Sequence, residues 1–132
     1  DDGGFVEVAP AKRGGTNPTA AAIALLLMLD AMDMPTRDTA TDFLVAMQSP
    51  EGGLRANDRA PLADVLSTFT GLLTLTDLGA ASRIDLAAVR RFIDSAESST
   101  GGFRGGLWDQ ATDVEYTFYG IGTIALLQAP VA

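Results

Sequence analysis

The sequence predicts an all-α domain made of repeated helix pairs, and three observations carry this prediction. The 132 residues are 47% apolar with a mean hydropathy of +0.19, which is typical of one folded, core-rich domain. A glycine pair followed by a large apolar residue recurs every 49 residues, in Gly3-Gly4-Phe5, Gly52-Gly53-Leu54 and Gly101-Gly102-Phe103. Long apolar segments with helical start and stop signals lie between these triplets.

The 49-residue register extends into the segments between the triplets. It relates Thr19 to Thr68 and Thr117, and Phe43 to Phe92. We therefore treat residues 1–132 as a single repeat domain with units at about 3–51, 52–100 and 101–132. A threonine that recurs in every unit indicates a packing or helix-start role.

Each unit is expected to contain two helices joined by a short turn. In the first unit, Asn17 is the expected N-cap and Pro18 the first helical residue, and the helix runs to about Asp33. A second helix is expected at about 36–47, before Pro50.

Aspartates mark the starts of the remaining three helices: Asp64, Asp85 and Asp113. The third helix should end at Leu78 with Gly79 in the C′ position. Ile84 and Val89 are spaced as a hydrophobic staple around the fourth helix start. The fifth helix should end before Pro130.

The two helices of a unit differ in their apolar pattern. The first, third and fifth helices are apolar or small almost all round, which predicts inner helices enclosed by others, whereas the second and fourth carry a single apolar stripe and are expected outside. Such alternation builds a curved α/α array. Two and a half units cannot close a ring, so we expect apolar faces at the ends, covered by further chain, a partner or self-association.

Composition excludes several classes of function. The chain has no cysteine or histidine, which excludes disulfides, zinc fingers and Ser-His-Asp triads. A net charge of −8 argues against nucleic-acid binding. The longest apolar run, residues 20–29, is too short to span a bilayer. The sequence barely constrains the localisation, which stays unknown with the cytoplasm as the default.

A family resemblance rests on the loop-to-helix junctions. Phe43-Leu44, Gln48 and Gly52-x-Leu54 resemble the QW-type repeat of squalene and other terpene cyclases and of protein prenyltransferase β subunits. Phe92-Ile93, Glu97 and Gly101-x-Phe103 repeat the pattern, with tryptophan replaced by Leu54 and Phe103. The resemblance covers essentially the whole chain. It implies part of an (α/α)6 toroid whose inner helices line an isoprenoid cavity.

Within that family, the β subunits of protein prenyltransferases resemble this sequence most, and type II geranylgeranyltransferase is the nearest branch. Residues 113–120 are similar to their D-x-Y-H-T motif, residues 64–69 to D-x-C-Y-S-F, and residues 18–22 to P-T-Y-A-A. The order of these motifs suggests the C-terminal units of a larger toroid.

The resemblance also implies a zinc ion held by Asp, Cys and His, and here the pattern departs. Asp64 matches the Asp, but Leu66 stands at the Cys and Tyr116 at the His. We therefore expect no zinc. Asp109 and Glu115 could offer Mg²⁺ oxygen ligands with Asp113, although a solvated loop before a helix cap explains them equally well.

Candidate ligand contacts follow from the same resemblance. The family holds a diphosphate through Arg and Lys upstream of D-x-C, where Arg59 is the available anchor and Pro61 replaces the Lys. The aromatic side chains that could form a wall for an isoprenoid, or equally a packed core, are Phe69, Trp108, Tyr116, Phe118 and Tyr119. Asp64 and Asp113 are better explained as helix caps than as site carboxylates.

Three functions remain open at this stage. The first is a prenyltransferase-like domain that binds an isoprenoid diphosphate, with transferase activity left undecided. The second is a non-catalytic toroid for protein interaction or lipid binding, and the third is a terpene cyclase fragment that lacks its Asp-rich motif. An α/α carbohydrate-active enzyme would need two facing carboxylates, for which the glutamates give no support.

Overall fold

The computed structural model describes residues 2–129, and five α-helices dominate this part of the chain. They are α1 (Thr16–Met28), α2 (Met34–Ala46), α3 (Val65–Asp77), α4 (Leu86–Ala96) and α5 (Val114–Gln128), with a single 3-10 turn at Ala81–Arg83. Two short strands, β1 (Phe103–Arg104) and β2 (Thr112–Asp113), pair antiparallel ahead of α5. The strands lie in a loop where the sequence predicted no regular structure.

The helices form an inner and an outer layer, as the apolar patterns predicted. α3 lies between α1 and α5 and contacts both of them directly. α2 buries Phe43 and Leu44 and α4 buries Phe92 and Ile93 in one core, together with Leu72 of α3. The all-α part of the sequence prediction is confirmed.

The start and end of α1 differ from the prediction. Its N-cap is Gly15, which makes no side-chain cap hydrogen bond, and Pro18 is the third helical residue, where a missing N–H is still harmless. Asn17 instead accepts a hydrogen bond from Thr70 Oγ1 of α3 at 2.6 Å. The helix ends at Met28 because Asp30 adopts a left-handed φ of +52° and terminates it.

The aspartate N-caps are confirmed, and one more was missed. Asp64, Asp85 and Asp113 each accept the backbone N–H three residues on, at 2.7–2.9 Å. Asp33, predicted as the end of the first helix, caps α2 instead through Thr36 N at 2.7 Å. α2 therefore starts at Met34, two residues earlier than expected.

The recurring threonines have a structural role, as predicted. In each unit the threonine Oγ1 accepts the backbone N–H of the residue after the glycine pair, and the three distances are 2.8, 2.9 and 3.1 Å: Thr19 to Phe5, Thr68 to Leu54, and Thr117 to Phe103. These bonds fix each loop that contains a glycine pair, which we call a glycine loop, against the inner helix of its own unit.

Neighbouring units are joined by bonds that repeat in the same register. The first backbone N–H of α1, on Thr16, donates to Ala56 O in the next unit, and that of α3, on Val65, donates to Gly105 O, each at 2.8 Å. Gln48 adds a clamp, because its amide donates to Asp85 O at 3.0 Å and accepts from Asp85 N at 2.9 Å.

The expected apolar ends are present, whereas full enclosure of the inner helices is not. Met28 on α1 and Val114 and Ile121 on α5 are exposed at the two ends of the array. Leu73 in the middle of α3 is also exposed, because the inner helices leave one face uncovered. In the described residues, no helix is long and apolar enough to cross a membrane.

Candidate functional site

The uncovered face of the inner helices is the first component of the candidate site. On α3 it carries Leu66, Phe69 and Leu73, which recur at intervals of three and four residues and lie opposite the side buried against the outer helices. α1 adds the exposed Ala24 and α5 adds the exposed Phe118. We call this surface the inner face; it is apolar and open.

An aromatic cluster occupies the inner face between α3 and α5. The ring centroids of Phe69 and Phe118 are 5.8 Å apart with an edge-on geometry, and Tyr119 lies 5.5 Å from each. Phe69 can approach α5 because residue 122 is glycine: a Cβ there would lie 2.5 Å from the Phe69 ring. Phe69 and Tyr119, two of the candidate ligand contacts, therefore lie together.

A groove of about 1080 Å³ opens at the N-terminal ends of α1 and α3. Its lining includes three cationic side chains, Lys12, Arg13 and Arg59, two acidic ones, Glu7 and Asp58, and the apolar Pro18 and Leu66. Leu66 also begins the inner face, so the cationic groove and the apolar face are continuous. We call this the basic groove.

The cations of the basic groove are engaged to different degrees. Arg13 forms an ion pair with Asp58. The Arg59 residue is exposed, and its backbone N–H donates to Asn57 Oδ1 at 3.0 Å. Arg55, the other arginine upstream of Asp64, faces elsewhere, because its Nη2 donates to Ala46 O at the end of α2 at 3.1 Å. Arg59 is therefore the better placed of the two for a ligand.

Trp108 lies apart from the aromatic cluster. It is mostly exposed and borders a smaller pocket of about 290 Å³, whose lining is Ala60, Pro61, Leu62, Asp64 and Trp108. The five aromatic side chains of the predicted wall are thus divided: Phe69, Phe118 and Tyr119 form the cluster, Tyr116 packs on Gly105, and Trp108 lies in the loop between β1 and β2.

Asp64 and Tyr116 lie at the junction between α3 and α5. Asp64 accepts hydrogen bonds from the backbone N–H and the hydroxyl of Ser67 at 2.7 and 2.8 Å, while burial raises the pKa of its carboxyl. The Tyr116 ring packs on Gly105, where a Cβ would lie 2.7 Å from the ring. Burial, then the charges of Asp113 and Asp64, raise the pKa of the Tyr116 phenol.

The acidic side chains near α5 are each engaged locally. Asp109 accepts from Ala111 N at 3.0 Å, and Glu115 accepts from the Tyr119 hydroxyl at 3.2 Å. Within residues 2–129 no three metal-ligating side chains converge. The donor set expected for the family's zinc does not fit either, because Leu66 offers no lone pair and Tyr116 offers a neutral phenol.

Sequence reasoning missed Lys12 and Arg13 as parts of the site. They precede α1 by a few residues and line the same groove as Arg59 because unit one stacks on unit two. The repeat register could have revealed this, since it places the loop before α1 beside the loop before α3.

Comparison with known proteins agrees with the architecture. Residues 1–131 match the family model described as the prenyltransferase alpha-alpha toroid domain. The chain is 30% identical over 107 residues to the protein farnesyltransferase subunit beta of Pisum sativum, and this alignment covers 81% of the chain but 25% of that subunit. The chain therefore spans about a quarter of the length of this relative.

Proposed function

Because this chain belongs to the prenyltransferase alpha-alpha toroid family, we propose that it is a segment of a prenyltransferase-like toroid that binds an isoprenoid diphosphate. The observation that supports this most is the continuity of the basic groove with the inner face through Leu66. A diphosphate is an anion and an isoprenoid tail is apolar, so one ligand would match both surfaces. The similarity to a farnesyltransferase β subunit supports the same ligand class.

The basic groove and the inner face would bind different parts of this ligand. Lys12 and Arg59 supply positive charge at the end of the groove, where charge-assisted bonds to phosphate oxygens are strong. The aromatic cluster formed by Phe69, Phe118 and Tyr119 supplies the wall for the tail. The order from charge to apolar surface sets the orientation of the ligand.

Calorimetric titration with geranylgeranyl diphosphate, geranylgeraniol and pyrophosphate tests this proposal. Arg59→Ala should weaken binding of the diphosphate by about tenfold or more and leave binding of the alcohol unchanged, because one charge-assisted bond is worth about 1.5–3 kcal/mol. Phe69→Ala should weaken the diphosphate and the alcohol alike.

Arg91→Ala is the matched control, because Arg91 is an exposed arginine on α4 in the outer layer. Absence of saturable binding by the folded protein would contradict the proposal. So would equal losses from Arg59→Ala and Arg91→Ala, which would show that only net charge matters.

A second function, ligand binding without transfer to a thiol, is favoured by one observation. The positions that would activate a thiol carry Leu66 and Tyr116, neither of which can. Incubation with the diphosphate and a cysteine-containing acceptor peptide separates the two cases. Binding without peptide modification supports the non-catalytic toroid, and modification supports a transferase.

We also propose that a further repeat unit covers the exposed side of α5. At both junctions within the chain, the first N–H of an inner helix donates to a loop carbonyl of the following unit. The equivalent donor on α5 is Val114 N, beside an exposed apolar stripe that includes Ile121. The same register therefore predicts a glycine loop and an inner helix at this face.

Joining a second copy of residues 81–129 directly after Ala129 continues the register and tests this assembly. The fusion should protect the Val114 amide from hydrogen exchange and raise the free energy of unfolding. The same fusion with Val114→Asp and Ile121→Asp is the control. Equal exchange at Val114 in the fusion and the unextended chain would refute the docking register.

A further inference from the structure

We infer that the metal centre implied by the family has been rebuilt in this chain as a metal-free helix-cap junction, and that Leu66 and Tyr116 alone separate it from metal binding. This inference rests on family membership and on the junction between α3 and α5. It does not depend on isoprenoid binding.

Two of the three positions implied by the family, those of Asp64 and Tyr116, adjoin the same loop residue, Gly105. The first N–H of α3, on Val65, donates to Gly105 O at 2.8 Å, and the Tyr116 ring of α5 packs over the same Gly105. Asp64 immediately precedes Val65. The residue after Asp64 and the Tyr116 ring therefore meet at Gly105, and the Asp64 charge contributes to the raised pKa of the Tyr116 phenol.

The Asp64 carboxylate serves as the N-cap of α3. Both of its oxygens are hydrogen-bonded to Ser67, one to the backbone N–H at 2.7 Å and one to the hydroxyl at 2.8 Å. A carboxylate engaged in this way is a satisfied N-cap.

The other two positions have been given apolar or neutral roles. Leu66 lines the basic groove and presents only hydrocarbon. Tyr116 is a neutral phenol that fills the space over Gly105. Zinc takes thiolate, imidazole or carboxylate ligands, and a single carboxylate does not hold it.

The test restores the missing donors. The double variant Leu66→Cys/Tyr116→His is titrated with Co²⁺, whose d–d and thiolate charge-transfer absorption reports tetrahedral coordination, and then with Zn²⁺ in competition. The wild-type chain should show no saturable site, and the double variant should bind one Co²⁺ at least tenfold more tightly than its control. The control is Leu73→Cys/Tyr116→His, which places the thiol about two helical turns further along the inner face.

Asp64→Asn in the double variant keeps the cap and removes the charge, so Co²⁺ binding should fall while the far-UV spectrum and the urea midpoint persist. Stoichiometric zinc on the wild-type chain, abolished by Asp64→Asn, would overturn the first half of the inference. A folded double variant that binds Co²⁺ no better than the Leu73→Cys control would overturn the second half. A double variant that fails to fold would also overturn it, because the two substitutions would then not be the only barrier.

Discussion

The same repeat position has opposite environments in α3 and α5. Val65 and Leu72 of α3 are 0% and 2% exposed, whereas their equivalents 49 residues later, Val114 and Ile121, are 88% and 58% exposed. The residue types are nearly the same, so residue type does not explain the difference in exposure. α3 is covered by α5, and within the described residues nothing covers α5 on its far side. A repeat therefore specifies an interface, and only its neighbour decides whether that interface is buried.

Truncating the two equivalent side chains should separate them most strongly. Leu72→Ala should destabilise the chain by about 2–5 kcal/mol, because it removes a fully buried side chain and leaves a cavity. Ile121→Ala should cost less than about 1 kcal/mol, because most of its surface is already in water. Urea unfolding followed by circular dichroism measures both. Similar losses for the two variants would mean that α5 is covered in solution, for example by self-association, which sedimentation would reveal.

The glycine loops offer a second matched pair. Gly52 and Gly101 share a left-handed φ of +103° and +98°, but a Cβ at residue 52 would lie 2.2 Å from Ala88 O of α4, whereas at residue 101 it would meet nothing within 4 Å. Gly52→Ala should therefore cost about 2–4 kcal/mol, from backbone strain and overlap together. Gly101→Ala should cost about 1–2 kcal/mol, from strain alone.

The measurement for this pair is again the urea midpoint, with equal m-values required for the comparison. If both glycines gave the same loss, the contact between the glycine loop and the outer helix would contribute nothing, and backbone strain would explain both results.

The clamp between units gives a smaller expected contrast. Gln48 donates its amide to Gly52 O and Asp85 O and accepts from Asp85 N. Gln48→Glu should cost about 1–2 kcal/mol, because a carboxylate cannot donate and would face two carbonyl oxygens. Glu97 holds the equivalent place in the next unit and is exposed, so Glu97→Gln should change stability by less than about 0.5 kcal/mol. If Gln48→Glu left the free energy of unfolding unchanged, the clamp would not be formed in solution.

Much of the fold follows from the sequence because the signals are local and repeated. These signals are the 49-residue register, the helix stop at Gly79 and the aspartate caps at Asp64, Asp85 and Asp113. Each marks a position where the backbone requires a particular hydrogen bond. The first unit was placed less well because it breaks those signals. Gly15 stands where the other units have a capping aspartate, and Asp30 takes the left-handed conformation that Gly79 takes in unit two.

The candidate site could be predicted in part only. Phe69 and Tyr119 belong to adjacent inner helices, so their contact follows from the layer assignment. That Lys12 and Arg59 line one groove depends on how the loops of units one and two stack, and only the 49-residue register, not a local signal in either loop, could have indicated it. The separation of Trp108 from the other aromatics has the same origin, since β1 and β2 set the path of its loop.

The smallest expected difference is between two aspartate N-caps whose pKa values are shifted in opposite directions. They are Asp33 on the outer helix α2 and Asp64 on the inner helix α3. Hydrogen bonds from Thr36 hold the pKa of Asp33 below the ordinary 3.8, whereas burial holds the pKa of Asp64 above it. The Asp33 contribution is therefore present above pH 3.8 and is lost as the pH falls through the lowered value. The Asp64 contribution has the opposite sign: the folded state binds the proton more tightly, and this stabilisation is lost as the pH rises from 3.8 through the raised value.

Asparagine keeps a cap at either position and removes the titration. The stability of the wild type relative to Asp33→Asn should increase with pH across the region below 3.8, and its stability relative to Asp64→Asn should decrease with pH just above 3.8. At pH 7, Asp64→Asn should be at least as stable as the wild type, and Asp33→Asn should be less stable. Urea midpoints from pH 2 to pH 7 give both differences. Two differences that change with pH in the same direction would mean that the Asp64 cap is as open to water as the Asp33 cap, and that the inner and outer helix starts are electrostatically alike.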